Sequence, residues 1–340
     1  MSISEMIKNN QLKSYFILTF LITWSFFFLP FIFSLTDSMF NLLLMAIGGS
    51  GPAFAAIIIS GVIKPQKLET QNLKRWISFL IALVLVVFLI VSYLHIALNS
   101  ISIPIFILIL INAAIAAYII SGGLAGHKGI RELLSKLYIW KVDLKWYVIA
   151  LLLYPAINFI SLLIGSMVTG ISFNEIWPQL SLDALFWFII SCGFIGLVRG
   201  PLREEIGWRG FALPRLQYLY SPLVGTLILA LIWTFWHLPL HINGIYPGGI
   251  EGFYSRCTWN IGITFLFTWI YNHSRGSLLL TTIFHTSINT TGTLLIIPSN
   301  ISGIWGLAFI AFINIAAILV IVGDKMWQKL PEKSEAVYNY

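Results

Sequence analysis

The chain has 340 residues, of which 58% are hydrophobic and 10% charged, and its formal net charge is +7. A soluble domain carries about 25% charged residues, so the composition excludes a soluble enzyme and leaves no room for a separate soluble domain. The basic balance does not indicate nucleic acid, because the lysines and arginines fall in short segments between apolar runs rather than in one patch.

In chain order, apolar runs predict helices over 15–35, 40–61, 77–97, 101–122, 147–168, 182–199, 221–238, 259–271, 277–295 and 304–323. About 20 apolar residues cross the hydrocarbon of a bilayer. The run over 259–271 is short for that purpose. The first run is too long, and too poor in small residues at its end, for a cleaved signal peptide, and reads as a retained span. The predicted fold is therefore all-α: a polytopic transmembrane helix bundle of about 8–10 spans. The basic stretch KGIRELLSKLYIWKVDLK (128–145) is partly amphipathic. It reads either as a solvated connecting helix or as a surface helix facing anionic lipid head groups. Cys192 and Cys257 form no metal-type pair and read as free thiols.

With the N-terminus inside and alternating spans, every lysine and arginine except Arg256 falls on the inner side. Basic residues near span ends set orientation, so a multi-pass cell-membrane protein with both termini cytoplasmic is expected. That arrangement has one difficulty. Glu204 falls near the inner surface and His237 near the outer end of the next span. A re-entrant or tilted segment over 201–218, started by Pro201, would carry the carboxylate toward the histidine.

Three polar clusters stand out in this apolar chain: PLREEIGWRG (201–210), WTFWHLPLH (233–241) and HTSIN (285–289). Carboxylates beside hydrocarbon are costly unless hydrated, paired or protonated. On a helix Glu205 and Arg209 share a face, whereas Glu204 points elsewhere and is available as a base toward water. The competing readings are that both glutamates pair with Arg203, Arg209 and head groups, or that they relay protons in a transporter. His237 follows Trp233 by four residues, before the break expected at Pro239. It orients water, shuttles protons, or merely sits at the interface. His285 and Asn289, again four apart, can both donate to a developing oxyanion, or can staple two helices together. His273 reads as a surface residue. There is no HExxH sequence, and the residue types permit a divalent metal such as zinc without requiring one.

Together the three motifs, EEIGWR (204–209), WTFWH (233–237) and HTSIN (285–289), resemble those of the CPBP family of intramembrane proteases, the CAAX-processing and bacteriocin-processing (Abi-like) endopeptidases, in a prokaryotic-type member. Tryptophan stands at 233 where phenylalanine is commoner. The resemblance implies a protease core over 182–295, preceded by N-terminal transmembrane helices with basic loops (1–181) and followed by a last helix and short tail (296–340). It implies Glu204 as catalytic base, His237 holding the attacking water, and His285 and Asn289 forming the oxyanion pocket. Glu205, Arg209 and Trp233 would support them. The implied activity is hydrolysis of a peptide bond in a membrane-associated peptide or protein, possibly lipidated, by glutamate-activated water. No cofactor is firmly implied; the implied partners are that substrate and membrane lipids. The alternatives are a non-proteolytic immunity or peptide-binding scaffold protein and a proton-coupled transporter.

Overall fold

The computed structural model describes residues 2–35, 37–68, 72–95, 102–172, 182–294 and 299–329. Among them the fold is an all-α helix bundle with no sheet; the only strand-like contact is an isolated bridge between Lys67 and His127. Among the described residues, seven helical segments are long and apolar enough to cross a membrane: Gln11–Ile32, Ser38–Ile63, Leu73–Leu94, Ile103–Ile120, Leu144–Thr169, Pro222–Ile242 and Gly303–Gly323. Their outward faces stay apolar, with Leu80, Val84, Phe88, Leu307 and Leu319 all exposed, as expected where lipid replaces water. The remaining long helices, Leu182–Leu197, Gly249–His273 and Leu278–Leu294, are shorter or more polar. The last two face the interior with Asn260, Thr264, Thr268, Thr281 and His285.

The short run expected over 259–271 is the second half of a 25-residue helix, Gly249–His273. Its first half, with Glu251, Ser255 and Arg256, looks like a loop in sequence because it is polar. It is helical because Ser255 and Arg256 line an internal cavity rather than lipid. The basic stretch after 127 is a short connecting helix with one face docked on the bundle. A helix Lys128–Ser135 buries Ile130, Leu133 and Leu134, and a 3₁₀ turn follows over Lys136–Tyr138. Gly129 permits this docking: a Cβ there would lie 1.9 Å from the Ser60 carbonyl oxygen.

One end of the bundle gathers the basic connections. Arg75 donates to the Ser121 carbonyl, Arg215 to the Gln11 side chain, and Ser277 to the Ile139 carbonyl, while His273 meets Asp324 at 2.7 Å. Arg199 and Arg203 do not belong to that end, contrary to the sequence expectation. Arg199 lines a cavity with Ser38, Asn41 and Tyr246. Arg203 is fully buried and donates to the Ala46 carbonyl (2.7 Å), the Ser50 hydroxyl (3.1 Å), and the side-chain and backbone oxygens of Asn112 (both 2.8 Å). An arginine wholly inside a bundle persists only when its protons find such acceptors.

The segment 201–219 explains this displacement. Pro201 opens the helix Pro201–Gly207, a π-helical turn follows over Trp208–Ala212, and Leu213–Leu219 completes it. It begins beside Arg199 at the cavity and ends beside Gln11 at the basic end. From Glu204 to Arg215 is eleven residues, about 16 Å at 1.5 Å per residue. It is a helical segment buried inside the bundle, over the stretch where a re-entrant or tilted segment was expected. The following helix, Pro222–Trp236, capped by the Ser221 hydroxyl on the Val224 amide, runs back and brings Trp233 level with Glu204. Pro214 lacks the N–H that would reach the Gly210 carbonyl four residues earlier. The Lys136 ammonium donates to that oxygen at 3.1 Å.

Two expectations follow. Gly207 lies against the Gly51–Ile63 helix so closely that a Cβ would come within 2.4 Å of the Tyr15 hydroxyl and 2.5 Å of Pro52. Gly207→Ala should therefore destabilise by about 1–3 kcal/mol, read as a lower melting temperature in detergent; an unchanged value would contradict this packing. Burial first, and Arg215 second, push the Lys136 ammonium down to about 7. An unfolded lysine keeps its proton to about pH 10.4, so the unfolded chain binds more protons between those values and stability rises with pH across about 7 to 10. Thermal unfolding over that range should show the rise, and Lys136→Met should flatten it; a rise that survives the substitution would assign it elsewhere.

Candidate active site

Glu204 and Glu205 are adjacent in sequence and diverge by about 100° around the helix. Glu205, which has no exposed surface, turns into the bundle. Its Oε1 accepts from Arg209 Nη1 at 2.9 Å, the i,i+4 pair read from the spacing, and lies 2.8 Å from His285 Nδ1. The second contact was not legible from spacing. It joins residues 80 positions apart and fixes the imidazole: a carboxylate only accepts, so Nδ1 carries the proton and Nε2 is left for the cavity. The Arg209 guanidinium is held flat between aromatic faces, 3.8 Å from the Phe267 ring centre and 4.6 Å from that of Trp233.

Glu204 turns toward the cavity. Its Oε2 accepts from Trp233 Nε1 at 2.9 Å, which gives the tryptophan at 233 a polar task that phenylalanine could not perform. Its Oε1 occupies the space where a side chain at 200 would project: a Cβ on Gly200 would lie 2.5 Å from that oxygen, and Gly200 has φ +134°. Only glycine adopts that conformation and leaves that space. Neither glutamate pairs with Arg203, whose hydrogen bonds all go elsewhere, and neither reaches the bundle surface.

His237 closes the helix Pro222–Trp236, just before the Pro239 turn. Its Nδ1 donates to the Trp233 carbonyl at 2.8 Å, which again leaves Nε2 for the cavity. The Trp233 ring stands 5.8 Å from the His237 ring and 5.6 Å from the His285 ring, centre to centre. Asn289, half-buried, follows His285 by one helical turn on the same face. Glu204, Trp233, His237, His285 and Asn289 all line one cavity of about 610 Å³. Glu204 and His237 also line a second, of about 390 Å³. The four residues expected to act together, from three separate helices, are therefore brought to one place, and the mismatch in depth between Glu204 and His237 disappears.

His241, beyond the break expected at Pro239, is buried in the short helix Leu238–Ile242, lines the larger cavity and packs beside Tyr246 and Phe253. His273 is partly exposed and paired with Asp324, as a surface histidine. Cys192 and Cys257 are both free. Among the described residues, no three His, Cys, Asp or Glu side chains are gathered as a metal-binding group. The cavity residues that escape the motif reading include Arg199, Tyr246 and Arg256. The signal for Arg256 was present in sequence, where it is the one basic residue that the orientation rule leaves out of place.

Comparison with known proteins places this geometry in a family context. The Type II CAAX prenyl endopeptidase Rce1-like family model matches residues 183–291, the stretch that holds all three motifs. CAAX prenyl protease 2 of Methanococcus maripaludis is 29% identical over 243 residues, which cover 66% of this chain and 84% of that relative. The chain is a CAAX-protease-like polytopic membrane protein.

Proposed function

We propose that this protein is an intramembrane endopeptidase that hydrolyses a peptide bond with water activated by Glu204. The observation that carries the reading is the convergence of an available carboxylate, two oriented imidazoles and a carboxamide on one cavity inside an apolar bundle. Glu204 takes a proton from water, and His237 Nε2 accepts a hydrogen bond from the same water and aims it. The oxygen attacks the scissile carbonyl carbon, and the charge that develops on the carbonyl oxygen is met by the Asn289 amide. His285 Nε2 joins it as a donor once that nitrogen carries a proton, a state for which Glu205 on Nδ1 is the counter-charge. The C–N bond then breaks as the proton held by Glu204 passes to the leaving amine. Base, orientation and oxyanion contacts are the parts such a reaction needs.

The substrate class follows from the setting and the relatives. A cavity that lies within a lipid-facing bundle suits a peptide already at the membrane, and the M. maripaludis relative is named for action on CAAX prenyl proteins. A lipidated, membrane-associated peptide is therefore the proposed substrate, handled by a core over 182–295 in a cell-membrane protein with both termini on the cytoplasmic side. A passive scaffold or immunity protein explains the cavity less well, because binding alone does not require both imidazoles to have Nδ1 tied down and Nε2 left for the cavity.

The test uses purified protein with prenylated peptides and product detection by mass spectrometry. Glu204→Gln should lower turnover at least about 100-fold, the scale of a lost general base, with an unchanged melting temperature. Asn289→Ala should cost about 100- to 1000-fold in kcat, the scale of a lost oxyanion donor. Turnover retained by Glu204→Gln would sink the mechanism.

A further inference from the structure

The larger cavity holds more than the proposed machinery uses. Its charged lining consists of Glu204, Arg199 and Arg256, the histidines aside. Arg256 rises from the helix Gly249–His273 with its guanidinium 4.6 Å from the Tyr246 ring centre and 5.5 Å from that of Trp259. The aromatic rings hold the flat group in place without neutralising it. Its Nε is buried with no hydrogen-bond partner, and among the described residues no carboxylate lies within ion-pair distance of it. Arg256 is half-buried at the cavity wall, and a planar guanidinium without a counter-charge is the group that best matches a carboxylate.

We infer that Arg256, helped by Arg199 on the same cavity, is a subsite for the chain-end carboxylate of the peptide substrate, on the leaving-group side of the scissile bond. The inference rests on the hydrolytic reading above. Tyr246 links this subsite to the proposed machinery: its ring lies 4.6 Å from the Arg256 guanidinium and stacks on His237 at 6.0 Å. An extended residue spans about 3.3–3.6 Å, so a carboxylate bound at Arg256 sits only a few residues from the bond attacked beside His237. The cavity, about 610 Å³, falls in the range of small-ligand pockets and has room for the few residues between that bond and a chain end. Arg256 is therefore a specificity-determining residue that selects bonds close to a free C-terminus.

The experiment uses one S-prenylated peptide in four forms: with a free C-terminal carboxylate, as the C-terminal amide, as the amide with an aspartate near its end, and extended by three residues. Binding is measured to the full-length Glu204→Gln protein, which removes turnover, with and without Arg256→Gln; hydrolysis by the wild type is followed separately. The free acid should bind about tenfold or more tighter than the amide, the scale of a charge-assisted hydrogen bond. Arg256→Gln should abolish that preference by weakening the acid about tenfold or more beyond any effect on the amide, and Arg256→Lys should keep part of it. In kinetics on the Glu204 protein, Arg256→Gln should raise KM for the acid with little effect on kcat. Equal binding of acid and amide, or equal loss of both in Arg256→Gln, would overturn the subsite. Tight binding of the aspartate or extended form would overturn the chain-end assignment. An acid preference without any hydrolysis would sink the protease reading and leave the subsite standing; hydrolysis without the preference would do the reverse.

Discussion

The arrangement depends on one buried carboxylate. Glu205 has no contact with solvent, and a charge in that position is tolerable only when it is paired and hydrogen-bonded. Arg209 meets it from the same helix and His285 from another. This single oxygen therefore couples the segment 201–219 to the helix Leu278–Leu294 and sets the orientation of the His285 ring. With Glu205 committed inward, the helical turn of about 100° per residue leaves Glu204 facing the cavity. Geometry alone separates these two chemically identical glutamates: one is held inside the bundle, and the other faces the cavity as the proposed base.

Keeping so polar a segment inside an apolar bundle requires support along its whole length. Arg203 pins its start to the Ala46 and Asn112 carbonyls and the Ser50 hydroxyl. Gly207 lets it approach Pro52 closely. The π-helical turn that follows begins at Trp208 and includes Arg209, which lies between Trp233 and Phe267. Lys136 accompanies the break at Pro214 with a hydrogen bond to Gly210. Removing either partner of such a buried contact costs more than the contact contributes, because the remaining group is left unpaired. The same supports explain how a polar cavity can be held within hydrocarbon: the polar groups that face the cavity are fixed by others that never see it.

Much of this was legible in the chain. Helix periodicity and apolar run length identify the bundle, and the i,i+4 spacings give the Glu205–Arg209 pair and place His285 with Asn289 on one face. What spacing cannot convey is contact between distant segments. The Glu205–His285 bond, the Trp233 hydrogen bond to Glu204 and the burial of Arg203 depend on how helices pack. Hydropathy misjudges the first half of the helix Gly249–His273, because a helix that lines a polar cavity looks like a loop. It likewise misplaces Arg199 and Arg203, because an inward segment has the composition of a basic connection. Arg256 is the instructive case: its position against the charge rule was visible, and its meaning became clear only when Tyr246 and His237 were found beside it.

Glu205 orients His285 with Nδ1 protonated and Nε2 left for the cavity. Nitrogen-15 NMR of histidine-labelled protein in detergent, with His285 assigned by its substitution, measures this directly. The neutral His285 ring should carry its proton on Nδ1, and this preference should be lost in Glu205→Gln. A wild-type ring protonated only on Nε2, or one whose tautomer is indifferent to Glu205→Gln, would contradict it.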